Sequence, residues 1–282
     1  MATRYLIGKG ELLTQPIDAP RMKPSPKVRP YSVSEAQQLL IPQLATANSV
    51  FAALPPEACP EDLVVARMAL HPAFLAKSYF PKALLDQVGL ASVGSRTVRL
   101  QPHQVTRRKA AGADGNAMVE TTEIYVAGQR AAMRRFGVYA QGLTEDSPTG
   151  QQFAEFEMIA AMQPVDRIRE AQMGSGRVFE VGLHLLPERP ESMLRSLFEA
   201  YANKCGFQVN NEFAFLAGGL VFLALEGPPD GLEALARFSL VRVVRPMPSL
   251  RGVRPFTRGA GLAIPFHLPA GEVLGFFRET VS

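Results

Sequence analysis

The sequence has no tryptophan, two cysteines and four histidines in 282 residues, and each scarcity narrows the chemistry available to it. Cys59 and Cys205 stand far apart with neither CxxC nor metal-ligand spacing. That removes the disulfide framework of small secreted domains and predicts reduced thiols in a cytoplasmic compartment. His71, His103, His184 and His267 do not fall at zinc-ligand intervals, and no HExxH, P-loop lysine or GxSxG elbow occurs, so neither metal nor cofactor is expected. Gly8-Lys9-Gly10 and Gly174-Ser175-Gly176 are glycine turns without the strand and helix that would make them phosphate cradles. No apolar run reaches the roughly 20 residues that cross a bilayer. The longest, Phe213 to Leu225, carries two glycines and reads as buried strand. The N-terminal text MATRYLIGKGELL lacks an apolar core and a small-residue cleavage site, which argues against secretion.

Acidic residues are missing from one long window, Ala234 to Gly271, which holds Arg237, Arg242, Arg245, Arg251, Arg254 and Arg258 and no lysine. The net charge of +4 is concentrated there. An all-arginine cluster suits bidentate contacts to carboxylate or phosphate, while its plainest reading is a solvated basic strand and tail. With Arg107, Arg108, Lys109, Arg130, Arg134 and Arg135 it makes a nucleic-acid surface one alternative. No paired aromatics in an RNA-recognition pattern accompany it, so that partner is not favoured. The carboxylate pairs Glu120 with Glu123 and Glu155 with Glu157 lie in strand-like text, where such pairs usually face solvent.

What is present is 47% hydrophobic residues in a chain long enough to bury a large core without staples. Residues 1–30 are proline-rich and read as an extended lead-in. Ser32 followed three residues later by Glu35 is a capping box, so Ala36 to Leu54 is expected to be helical until Pro55-Pro56 stops it. The apolar pattern then predicts strand Leu63–Leu70, helix Pro81–Val88 closed by Gly89, strands Leu90–Leu100 and Val119–Val126, and helix Gln129–Tyr139. Phe153–Met162 fits strand or helix. The second half predicts strand Arg177–Leu186, helix Pro190–Lys204 closed by Gly206, strands Phe207–Asn211 and Leu220–Leu225, helix Leu232–Phe238 and strand Leu240–Arg245. The second half orders its elements β-α-β-β-α-β, the split βαβ pattern, and the first half does the same if Phe153–Met162 is a strand. The expected class is α+β, with two tandem ferredoxin-like units: a helix plus the first unit over 31–162, the second over 163–250, and a tail over 251–282.

The most distinctive text is HPAFLAKSYFPKALLDQVGLASVGSR, from His71 to Arg96. Phe74, Leu75, Phe80, Leu84 and Leu85 in it read as core, Lys77 and Arg96 as anchors of the segment, and Val93-Gly94-Ser95 as a strand bend at a close backbone approach. Together with Ala58-Cys59-Pro60 and the run from Phe238 to Pro248, this stretch resembles the N-terminal region of large bacterial subtilisin-like serine proteases of the kind encoded beside an AAA ATPase in anti-phage defence. The likeness spans about residues 5 to 258. The catalytic motifs of that family are absent: each histidine is followed by Pro, Gln or Leu, and Gly-Thr-Ser does not occur. The resemblance therefore implies a non-catalytic, prodomain-like regulatory module that inhibits or chaperones a subtilisin-like protease domain in cis or in trans, with an AAA ATPase as a further partner. Subtilase prodomains are ferredoxin-like units whose final strand runs into the substrate cleft. By this likeness Pro246, Pro248, Leu250, Arg251, Val253, Arg254, Pro255, Phe256 and Arg258 are the cleft-binding tail. A small-ligand sensor with its effector between the two units is a further alternative, and no residue marks such a site.

Overall fold

In the computed structural model, which describes residues 29–75, 79–104, 118–169, 177–187 and 189–247, the first described helix is the capped one. In α1 (Val33–Ala53), Ser32 Oγ accepts from the Glu35 amide at 3.2 Å and the Ser32 amide donates to Glu35 Oε2 at 2.7 Å. The helix buries Val33, Ala36, Leu40, Leu44, Ala47 and Phe51, a stripe spaced three or four residues apart.

Two four-stranded sheets follow, every neighbouring pair antiparallel. The first comprises β1 (Leu63–Leu70), β2 (Ala91–Leu100), β3 (Val119–Gln129) and β4 (Phe156–Ala161) in the order β2-β3-β1-β4. Its helices are α2 (Lys82–Val88), α3 (Arg130–Gln141) and the short α4 (Pro148–Phe153), and a one-turn helix, α5 (Pro164–Arg167), leads out of it. The second comprises β5 (Val178–His184), β6 (Gln208–Ala217), β7 (Leu220–Glu226) and β8 (Val241–Pro246) in the order β6-β7-β5-β8, with α6 (Glu191–Lys204) and α7 (Leu232–Ala236). Both sheets lie in one compact unit.

Alternation along the strands divides the core. Val64, Ala66, Met68 and Leu70 of β1 meet α1, α2 and α3 on one face, while Val65 of β1 and Tyr125 and Ala127 of β3 join the core of the second half. There Phe179, Val181 and Leu183 of β5 and Val221, Leu223 and Leu225 of β7 meet Leu194, Phe198 and Phe238.

Several sequence readings are corrected. The run Phe213–Leu225 is not one buried strand. It folds into a hairpin, because Gly218 (φ 58°) and Gly219 (φ 77°) supply the two left-handed residues of a tight turn. The strand read as Phe207–Asn211 thus extends to Ala217, and Phe213 and Leu216, each 58% exposed, lie outside the core on an edge. The ambiguous Phe153–Met162 is helix α4 as far as Phe153 and strand β4 from Phe156. Leu75 and Phe80 are exposed, since the turn after His71 buries Phe74 alone; Leu84 and Leu85 are core. Gly94 sits at a register shift with φ 144°, but a Cβ there would meet nothing within 4 Å, so its conformation and not a close approach calls for glycine. Lys77 lies outside the described residues.

One cation joins the halves. Arg167, fully buried, donates to the carbonyls of Ala236 (2.9 Å), Phe238 and Met162 (3.3 Å). The C-terminal turn of α7 thereby receives the donors and positive charge that a helix end lacks. Beside it, Ile168 bridges Val244 in parallel and the Arg169 amide donates to Val244 O at 2.9 Å, covering part of the outer edge of β8. Burial lowers the Arg167 pKa to about 10, which leaves it charged at neutral pH. Arg167→Ala strips the guanidinium donors from the Ala236 and Met162 carbonyls, leaves the Phe238 carbonyl only the Val241 amide at 3.0 Å, and opens a void. Urea unfolding is expected to show a loss of about 3 kcal/mol or more, partly recovered in Arg167→Met, which refills the space.

Candidate functional site

The non-helical faces of the two sheets meet around Tyr125 of β3. The Arg242 guanidinium of β8 lies over its ring at 3.4 Å from the centroid, Arg96 of β2 stands 5.8 Å away and the His184 ring of β5 5.2 Å away. Glu123 gathers this layer, accepting from Arg96 Nε at 2.6 Å and from the Tyr125 hydroxyl at 2.8 Å. Burial, reinforced by Glu123, pushes the Tyr125 hydroxyl up to about 12. Burial also lowers the pKa of Arg242, opposed by the adjacent Tyr125. His184 Nδ1 donates to the Val93 carbonyl at 3.3 Å, and Nε2 is buried without a hydrogen-bond partner among the described residues.

These contacts replace the solvated basic strand expected from the sequence. Arg242 is committed to Tyr125, Arg245 Nε to Glu180, and Arg237 to Glu233 at 3.2 Å. Arg130 is held by Asp62 at 2.9 Å, and among the other basic candidates in the described residues Arg134 and Arg135 are exposed. Arg107, Arg108, Lys109, Arg251, Arg254 and Arg258 lie outside the described residues. The carboxylates expected to face solvent also turn inward: Glu123, Glu155 and Glu157 are buried, and Glu120 alone is exposed. Arg96 does anchor its segment, through Glu123.

A second polar centre, which the sequence did not disclose, surrounds Glu157 of β4. Its carboxylate accepts from the Tyr31 hydroxyl at 2.7 Å, the His103 amide at 2.7 Å and His103 Nδ1 at 2.5 Å. Burial and Glu157 together raise the Tyr31 pKa. His71 Nε2 stands 4.0 Å from Glu157 Oε2, beyond hydrogen-bond reach, and bonds the Gln104 carbonyl at 2.8 Å, while its Nδ1 accepts from the Ala73 amide at 3.1 Å. A carboxylate orienting an imidazole is half of a general-base pair, yet no Ser, Thr or Cys side chain bonds His103 among the described residues. The centre acts as a clasp, fixing residue 31 and the 103–104 loop to β4. Glu157 lies 126 residues from Tyr31 and 54 from His103, so no local motif signals the centre. No group of three or more His, Cys, Asp or Glu gathers to hold a metal among the described residues, and no helix there is long and apolar enough to cross a membrane.

The second sheet keeps part of its non-helical face open. Around the buried Glu180 and its partner Arg245 lie Val178 (45% exposed), Phe215 (48%) and Met247 (36%), with Phe222 half-buried and stacked on Phe215 at 5.0 Å. Gly182 makes this surface flat beside Phe222, whose ring would stand 3.0 Å from a Cβ there. The open strip ends where the chain leaves β8. Of the tail residues singled out above, Pro246 is described and still belongs to β8, opposite Phe179, and the Met247 amide donates to Val178 O at 3.0 Å. Pro248, Leu250, Arg251, Val253, Arg254, Pro255, Phe256 and Arg258 lie outside the described residues.

No family model and no curated protein matches the chain.

The inter-sheet histidine supplies a pH test. Burial, with the Arg242 charge, lowers the His184 pKa from 6.5 to about 3, so the unfolded chain takes up a proton that the folded chain refuses. This stability is complete above pH 6.5 and is lost as pH falls from there toward 3. Between pH 7.5 and pH 5 the wild type is expected to lose about 2 kcal/mol more in urea unfolding than His184→Gln, which carries no titrating ring.

Proposed function

We propose that the chain is a non-catalytic, prodomain-like module of a subtilisin-like serine protease, built from two ferredoxin-like units and acting as inhibitor and folding partner of the protease domain. The observation that carries this reading is the open apolar strip of Val178, Phe215, Phe222 and Met247 on the second sheet, continuous with the point at which the chain leaves β8. The strand orders β2-β3-β1-β4 and β6-β7-β5-β8 support the two units, since each half has its two middle sheet positions filled by the first and third strands of a β-α-β-β-α-β run.

A sheet surface that packs on an enzyme and a following segment that lies in its cleft as an added strand together make an inhibitor. The first sheet already covers the His184 end of this face, so the protease meets the Val178 end. Binding to the folded protease and not to its unfolded chain stabilises it by mass action, which makes inhibition and folding assistance one property. The arginines of residues 251–258 supply long-range attraction to an acidic cleft.

Two measurements test the reading. Antibody capture of the native product from its source cells is expected to bring down a serine protease or a precursor much larger than 30.7 kDa; a lone 30.7 kDa product would count against it. With the captured protease domain, deletion of residues 248–258 is expected to abolish inhibition without changing the melting temperature, and Phe215→Asp to weaken it at least tenfold. Full inhibition by both variants would overturn the model.

A further inference from the structure

A cleft of about 270 Å³ opens between the two halves of the unit, where the start of β1, the start of β2 and the end of β3 meet the loop after β5. Its floor is apolar and low: Leu63, Ala91, Ala127 and Leu186. Gly128 in its wall packs directly on Leu90 of the core, whose side chain would stand 2.4 Å from a Cβ there. Two guanidinium groups stand at the rim. Arg135 of α3 is exposed and has no hydrogen-bond or ion-pair partner among the described residues; its Nη2 lies 3.7 Å from the Cβ position of Gly89. Arg189 gives one nitrogen to Glu61 at 2.8 Å and leaves the rest of its fork available. None of the described residues lining the cleft is acidic, and among them Gln129 has a side chain able both to donate to and to accept from an amide.

We propose that this cleft binds the free C-terminus of a peptide with a small aliphatic last residue. Planar guanidinium forks match a carboxylate in two-point contact, and a floor of small aliphatic side chains suits an alkyl group while offering nothing to a sugar or a nucleobase. The volume lies just below the roughly 300 Å³ at which pockets for drug-sized ligands begin, which limits the buried part to about one residue. Gln129 is placed to pair with the peptide group before it. The site lies away from the open strip of the second sheet and does not depend on the protease reading.

The test is amide-resolved NMR titration of the full chain with N-acetyl-Ala-Ala-Val as free acid, the same peptide as C-terminal amide, butyrate, and inorganic phosphate. The free acid is expected to shift the Gly89, Gly128 and Gln129 resonances with a Kd on the order of 1 mM, and the amide and butyrate to bind at least tenfold more weakly. Arg135→Ala, an exposed position whose loss leaves the fold intact, is expected to weaken the free acid at least tenfold. Equal binding of acid and amide, equal binding of butyrate and peptide, a site that prefers phosphate, or no shift at all would each overturn the proposal. Unchanged affinity in Arg135→Ala alongside an unchanged spectrum elsewhere would do the same.

Discussion

A guanidinium with no water around it sets the geometry of the whole unit. Arg167 arrives at the end of the first half, on a single turn of helix, and its charge is tolerated because three carbonyls from Met162, Ala236 and Phe238 stand where water would. Two of those carbonyls belong to the end of α7 and the residues after it, so the cation closes a helix of five residues too short to be stable alone. With α7 closed, Phe238 reaches Phe198 and Tyr201 of α6, and β8 begins where Ser239 donates to Ala58 of the first half at 2.7 Å. From there β8 pairs antiparallel with β5, Val244 opposite Val181.

The surface between the sheets is polar for a related reason. Strand alternation turns Glu123 and Tyr125 of one sheet and Glu180, Gly182 and His184 of the other to their non-helical faces. Buried carboxylates there demand cations, and Arg96 of β2 meets Glu123 while Arg245 of β8 meets Glu180, both from within the chain. A row of like charges in sequence becomes a set of pairs in space. Among the described residues, the charge left for partners lies at exposed helix positions such as Arg135.

Local elements were legible because their determinants are local. Ser32 and Glu35 form the capping box, Gly89 and Gly206 end α2 and α6 in the left-handed region, an apolar run marks β1 and period-two alternation marks β5. The hairpin was not, because Phe213–Leu225 reads as one apolar run unless Gly218 and Gly219 are given the turn. Hydrophobicity cannot say which side of a turn is edge and which is centre; β7 is central only because β5 lies beside it. The Glu157 clasp was illegible for a stronger reason, as its members have ordinary neighbours and meet only after β1, β2 and β4 have paired.

What the sequence determined by itself is the series of elements and the α+β class, since caps, turns and periodicity act over a few residues. Tertiary structure decided the fate of the charged groups: which arginines are spent on Tyr125, Glu123 and Glu180, which carboxylates are buried, and which apolar side chains, Val178, Phe215 and Met247 among them, stay open. A charge or an apolar face has no fixed value along the chain. Its energy depends on what the fold places within a few ångströms, and that is known only when both sheets have closed on each other.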